Sequence, residues 1–158
     1  MMKTVKFINK YKLFFITVVC AAVVFASCNS SDTQAFESTQ LLGSSEAPPV
    51  TTTGSGTLDG NYNAKTKVIT LNLKWSLGNK GDTTIMGHIH KGEVGVSGPV
   101  VIPFTDLPKG STDQEFNFVS QPLTTEQEAD LKAGSYYVNI HSTSYPAGEL
   151  RAQLILKK

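Results

Sequence analysis

The chain has 158 residues, 17% of them charged and 40% hydrophobic, with a formal net charge of +1 at pH 7. Four of its 14 basic residues and none of its 13 acidic residues lie in the first 27 positions, so the remainder is weakly acidic, with a net charge of −3. That weak acidity argues against nucleic acid as a partner, because phosphate binding requires a basic patch. The remaining length is typical of one domain.

Residues 1–27 have the organisation of a secretory signal peptide. Four lysines precede an apolar run over residues 13–24, and small residues then lead to Cys28. The run is shorter than the roughly 20 apolar residues of a membrane-spanning helix, although an uncleaved membrane anchor is the alternative interpretation. We therefore predict cleavage before Cys28.

Cys28 resembles the lipidated cysteine of bacterial lipoproteins. Acyl chains on this residue would hold the protein in the cell envelope, and Asn29 in the following position favours delivery to the outer membrane. Cys20 leaves with the signal peptide, so Cys28 has no disulfide partner in the mature chain. The alternative is a soluble secreted protein with a free thiol.

The mature chain is predicted to consist of a tether and one domain. Residues 28–40 are mostly polar and show no periodicity, which predicts a flexible tether. Residues 41–157 are predicted to form the domain. Period-two alternation of apolar and polar residues dominates this domain and indicates strands with one buried face. It is clearest over residues 69–77, where Trp75 lies on the apolar face, and weaker runs cover residues 54–62, 84–90, 99–104, 114–119, 136–141 and 149–156.

One segment, residues 124–134, departs from this alternation and is predicted to form a short helix. Thr125 and Glu128 have the spacing of a capping box, and Gly134 is a suitable end. About seven strands and one helix predict an all-β fold, either a Greek-key β-sandwich or a barrel.

The three histidines are the candidate metal ligands. His88 and His90 are two residues apart on one predicted strand, so they point to the same face, and His141 ends a strand that could lie across the sheet from them. Imidazole suits copper and zinc, which makes these ions the candidate cofactors, although no cofactor is assigned outright. The alternative is that the histidines are polar residues on a solvated strand face.

Sequence patterns assign no catalytic residue. The chain has no Gly-x-Ser-x-Gly turn, and no glycine-rich dinucleotide motif links a strand to a helix. Arg151 is predicted on an outward face beside Glu149 and Gln153, where a surface salt bridge is the commoner role. We therefore expect that the protein is not an enzyme.

Three stretches in order resemble the CHRD domain, named for chordin and also found in bacterial exported proteins. The resemblance implies an immunoglobulin-like β-sandwich or barrel, and the family has no agreed biochemical function. Gly87 stands where the family usually has alanine, and Ala152 where it often has glycine. The matching stretches are Leu-Gly-Ser-Ser-Glu-Ala-Pro-Pro-Val over 42–50, Gly-His-Ile-His-Lys-Gly over 87–92 with Gly-Pro-Val-Val over 98–101, and Tyr-Val-Asn-Ile-His-Ser over 137–142 with Tyr-Pro-Ala-Gly-Glu-Leu-Arg-Ala-Gln-Leu over 145–154.

The family also has a limited likeness to copper–zinc superoxide dismutases. This likeness implies that His88, His90 and His141 lie at copper-ligand positions, and that Arg151 lies near the arginine that attracts the anionic substrate. Those enzymes also need a bridging histidine, further zinc ligands and a disulfide, whereas this chain has three histidines and two cysteines. A three-histidine copper site is therefore a better expectation than dismutase activity.

The leading hypothesis is a non-catalytic, lipid-anchored binding or structural module that recognises a protein or glycan. The alternative is a copper- or zinc-binding protein, with redox or dismutase-like activity as its furthest form. A third hypothesis, an adhesion or assembly module, would need an exposed apolar patch of a few hundred Å². The predicted working surface combines the histidines and the 91–99 loop with Glu93, Tyr145, Glu149 and Arg151.

Overall fold

All nine strands that the structure describes pair antiparallel in one curled sheet. The structure is a computed structural model that describes residues 32–158, so the predicted signal peptide and Cys28 lie outside the described residues. No helix within residues 32–158 has the length and apolar character to cross a membrane. The strands are β1 (Thr33–Ala35), β2 (Thr39–Leu42), β3 (Ser55–Asn63), β4 (Val68–Ser76), β5 (Thr84–Lys91), β6 (Val100–Pro103), β7 (Asp113–Val119), β8 (Tyr136–Ser142) and β9 (Leu150–Leu154); a 3-10 turn covers Gly43–Ser45 and helix α1 covers Thr125–Lys132.

The strand order is β6-β5-β8-β9-β2-β3-β4-β7, and β1 pairs with the end of β3 beside β2. The sheet curls until its two edge strands approach each other. Phe104, just after β6, lies 4.6 Å from Phe118 and 5.7 Å from Phe116 of β7, measured between ring centroids. The predicted all-β, sandwich- or barrel-like fold is confirmed.

The core follows from the alternation on β4. Its apolar residues, from Ile69 to Trp75, are at most 3% exposed, and the polar residues between them face outward or sit half-buried. Burying each leucine or isoleucine contributes roughly 1.5–3 kcal/mol. The Trp75 indole donates a hydrogen bond to Thr84 Oγ1 at 2.9 Å, so its polar atom is also satisfied inside the core.

The predicted flexible tether over residues 28–40 is wrong from residue 33 onward. β1 pairs with Asn61–Asn63 of β3, Phe36 is only 2% exposed, and β2 begins at Thr39. Backbone hydrogen bonds to β3 and burial of Phe36 order this polar segment. These two strands account for the difference between the seven predicted and the nine described.

Helix α1 begins one residue earlier than its predicted cap requires. Thr124 is the N-cap: its hydroxyl accepts from the Gln127 amide, and the Gln127 side chain accepts from the Thr124 amide. Glu128, predicted as the capping partner, instead pairs with Lys67 at 3.0 Å and Lys132 at 2.6 Å. The predicted end is confirmed, because Gly134 has a φ of +73° just after the helix.

Candidate metal centre

The three histidines lie together on the outer face of β5 and β8. Ile89 is fully buried, and the missing side chain of Gly87 would point at Phe104, so His88 and His90 face away from the core. β8 pairs with β5 and brings His141 to the same face, opposite Met86. One ligand atom from each histidine lies within 4.8 Å of the others. The predicted proximity of the three imidazoles is confirmed.

Hydrogen bonds to backbone carbonyls fix two of the imidazole tautomers. His90 Nδ1 lies 2.9 Å from the Gly98 oxygen, and His141 Nδ1 lies 3.0 Å from the Pro146 oxygen. A carbonyl only accepts, so in both rings Nδ1 carries the proton and Nε2 carries the lone pair of the neutral form. Metal-ligating histidines typically use their second nitrogen in this way.

The donor set fits a first-row metal ion. His90 Nε2 is buried and has no hydrogen-bond partner, which is costly unless it has a ligand. His88 Nδ1 donates to the His141 Nε2 lone pair at 3.3 Å, which is also about the distance between two tetrahedral ligands with bonds near 2.0–2.1 Å, so a metal ion would replace this hydrogen bond. The donor atoms lie within 4.8 Å of one another, so binding would draw the rings together, and His88 is the least buried of the three.

The surroundings keep all three imidazoles neutral. Burial, with further contributions from His141 and His90, lowers the pKa of His88 to about 4. Burial also lowers the pKa of His90 and of His141 from the ordinary value of 6.5, although their carbonyl partners oppose the shift. Neutral imidazole is the form that binds metal, so the site does not have to lose protons at pH 7.

A family model for the CHRD domain matches residues 38–154. The chain belongs to the CHRD family. Comparison with curated proteins and with solved structures gave no match. The CHRD domain is not a known enzyme family, and membership supports a binding or structural role in general.

Arg151 is buried in this CHRD domain and is not the predicted surface salt-bridge partner. It is 2% exposed, and within residues 32–158 its guanidinium forms no salt bridge. Instead it donates to the backbone oxygens of Glu93 at 2.7 Å and Val96 at 3.1 Å. The outward face of β9 is therefore covered by the 92–98 loop, which alternation along the strand could not predict.

Arg151 also connects to the histidines through Tyr137. Its guanidinium carbon lies 3.5 Å from the centroid of the Tyr137 ring, and the His90 ring stacks on the same tyrosine at 5.0 Å with an interplanar angle of 10°. The Tyr137 hydroxyl accepts from the Gly98 amide at 3.1 Å. Loop, tyrosine and histidine thus form one packed unit.

The other predicted surface residues do not form one exposed face. Glu149 is fully buried, and its Oε1 accepts from Thr52 Oγ1 and from the Gly78 amide, both at 2.7 Å. Tyr145 is half-buried and donates to the Thr51 oxygen at 2.8 Å, whereas Glu93 is exposed. The predicted surface is therefore wrong for Glu149, because the segment before β3 packs over it.

Sequence patterns missed a buried polar pair between the histidines and Arg151. Asn139 is the ladder partner of both His88 and Arg151, and its amide donates to Glu46 Oε2 at 3.2 Å. Burial raises the pKa of Glu46 to about 7, against the opposing effect of the Arg151 charge. The signal for Asn139 was available, because it is two residues from His141 on β8.

Proposed function

We propose that this CHRD domain is a non-catalytic module of the cell envelope that binds copper or zinc through His88, His90 and His141. The observation that carries the proposal is the convergence of three neutral imidazoles, with the buried His90 Nε2 lacking a hydrogen-bond partner. Two of the three rings are already oriented by backbone carbonyls, so little conformational entropy is lost on binding.

The three candidate ligands come from two paired strands, so a bound metal ion would link those strands. His88 and His90 lie on β5 and His141 on β8, with a separation of 53 residues between His88 and His141. Copper would supply one-electron redox chemistry here, and zinc would supply a redox-inert cross-link. In either case, binding only to the folded state would stabilise the sheet.

The metal proposal predicts one equivalent of copper or zinc per chain. The protein to load is the full chain with Cys20→Ser and Cys28→Ser, purified in detergent, because free thiols would bind the same ions. His88→Ala and His141→Ala are expected to reduce bound metal, measured by elemental analysis after gel filtration, to background. Lys74→Ala, whose side chain is 64% exposed, is the control and should keep the full equivalent.

Two results would contradict the metal proposal. One is that the parent protein emerges without copper or zinc after loading with each ion. The other is that folded His88→Ala and His141→Ala retain as much metal as the parent, with folding checked by circular dichroism.

The proposed envelope location rests on the sequence pattern that ends at Cys28. We expect labelled fatty acid to be incorporated by the parent protein in a bacterial host and lost in Cys28→Ser. Cys20→Ser is the matched control, because it removes the other cysteine of the chain and should remain acylated and in the membrane fraction. Label retained by Cys28→Ser would overturn the assignment of the acylated residue.

A further inference from the structure

We propose that Met86 is a further ligand at the three-histidine site and makes it selective for Cu(I) over zinc. This inference rests on the proposed function, because it requires the histidines to bind metal.

The strand register places Met86 beside the histidines. Met86 is the ladder partner of His141 and lies two residues before His88 on β5. Gly87 between them faces Phe104, Ile140 and Leu107 in the core, so Met86 and His88 share the outer face. Side chains of directly opposed residues have Cβ atoms about 4.5–5.5 Å apart, which leaves the thioether within reach of the His141 ring.

The Met86 side chain is also partly open to solvent. It is 41% exposed, and it is one of the five large hydrophobic side chains described as exposed. Methionine is unbranched and has three rotatable bonds, so its sulfur can adopt several positions, including ones directed toward the histidines. The buried His90 side of the site offers no comparable freedom.

The chemistry of this donor set favours Cu(I). Thioether sulfur is a soft ligand that selects Cu(I), whereas protein zinc sites use thiolate, imidazole and carboxylate. Three imidazoles and one thioether carry no charge, and the buried Arg151 guanidinium lies beside the Tyr137 ring on which His90 stacks. A buried positive neighbour and a neutral donor set both penalise divalent ions more than a monovalent one.

The test compares metal affinities of the full chain carrying Cys20→Ser and Cys28→Ser with the same chain carrying Met86→Leu. Leucine keeps a similar volume and removes the sulfur. Competition with a chromophoric Cu(I) chelator should show Cu(I) affinity reduced by roughly 10-fold or more, and competition with a zinc chelator should show zinc affinity within about twofold of the parent. Val119→Ala, which shortens another exposed apolar side chain, should change neither affinity.

A second readout locates the sulfur directly. Met86 is the only methionine beyond position 2, so in a selenomethionine-labelled chain a selenium neighbour of copper that disappears in Met86→Leu, with Met1 and Met2 unchanged, is the selenium of residue 86. X-ray absorption at the copper edge should show a selenium neighbour in the labelled protein and none after Met86→Leu.

The outcomes separate this inference from the proposed function. Unchanged Cu(I) affinity in Met86→Leu with no sulfur or selenium neighbour would overturn the role of Met86 while the histidine site stands. An equal loss of zinc affinity would overturn the selectivity. Failure of the parent protein to bind either ion would refute the proposed function, and it would refute the role of Met86 as well.

Discussion

Arg151→Met is expected to destabilise the domain by about 2–4 kcal/mol and to release the 92–98 loop. The guanidinium donates to the Glu93 and Val96 oxygens from a position that is 2% exposed. Removing a buried charge recovers some desolvation cost, but the Val96 oxygen loses the guanidinium and the Glu93 oxygen keeps only the Val96 amide as a donor, and the loss of two charge-assisted hydrogen bonds is the larger effect. The contact with the Tyr137 ring at 3.5 Å is lost as well.

Urea unfolding of the full chain measures the first effect, and amide hydrogen exchange in residues 92–98 measures the second. Lys74→Met is the control, because it makes the same type of substitution at a salt bridge whose side chains are 64% and 59% exposed. Its cost should stay below about 1 kcal/mol. The role given to Arg151 is refuted if Arg151→Met unfolds like Lys74→Met and the loop exchanges at the parent rate.

The strands that could be predicted from sequence are those that bury one face. β4 alternates so regularly because each apolar residue contacts the core and each intervening residue meets solvent. β1 could not be found in this way, since all three of its residues are exposed and it is held by backbone pairing with β3. A strand without a buried face leaves no period in the sequence.

The histidine cluster was partly predictable for the same reason. Alternation fixes the common face of His88 and His90, and the strand ending in His141 needed only to pair with β5. Burial of Arg151 and Glu149 could not be predicted, because it depends on loops that fold over the outer face of the sheet. Side-chain alternation distinguishes the two faces of a strand but does not show what covers each face.

Gly87 illustrates how one residue's identity follows from neighbours distant in sequence. A Cβ at this position would lie 2.9 Å from the Phe104 ring and 3.1 and 3.2 Å from methyl groups of Ile140 and Leu107. Those large side chains fill the space that a side chain at position 87 would use. The sequence shows the glycine, but only the packing explains it.

Gly98→Ala is expected to weaken metal binding by roughly 10–100-fold, the range seen when an outer-shell partner of a ligand is lost. A Cβ at this position would overlap the backbone oxygen of Lys91, so the 92–98 loop must shift. The shift moves the Gly98 oxygen from His90 Nδ1 and the Gly98 amide from the Tyr137 hydroxyl. His90 then loses the bond that keeps its Nε2 lone pair directed at the site. Chelator competition on the full chain carrying Cys20→Ser and Cys28→Ser measures the change.

Gly81→Ala is the matched control, because within residues 32–158, and apart from its chain neighbours, its added methyl group would meet only Asn79 Oδ1, at 3.7 Å. It makes the same chemical change on another loop and should leave affinity at the parent value. If Gly98→Ala remains folded and binds as tightly as Gly81→Ala, the Gly98 carbonyl does not orient His90. If affinity falls and the His90 Nδ1 proton also loses its hydrogen-bonded NMR shift, the loop acts by fixing the tautomer of His90. Without the Gly98 carbonyl, either ring nitrogen can carry the proton, and only one of the two tautomers leaves Nε2 free to bind metal.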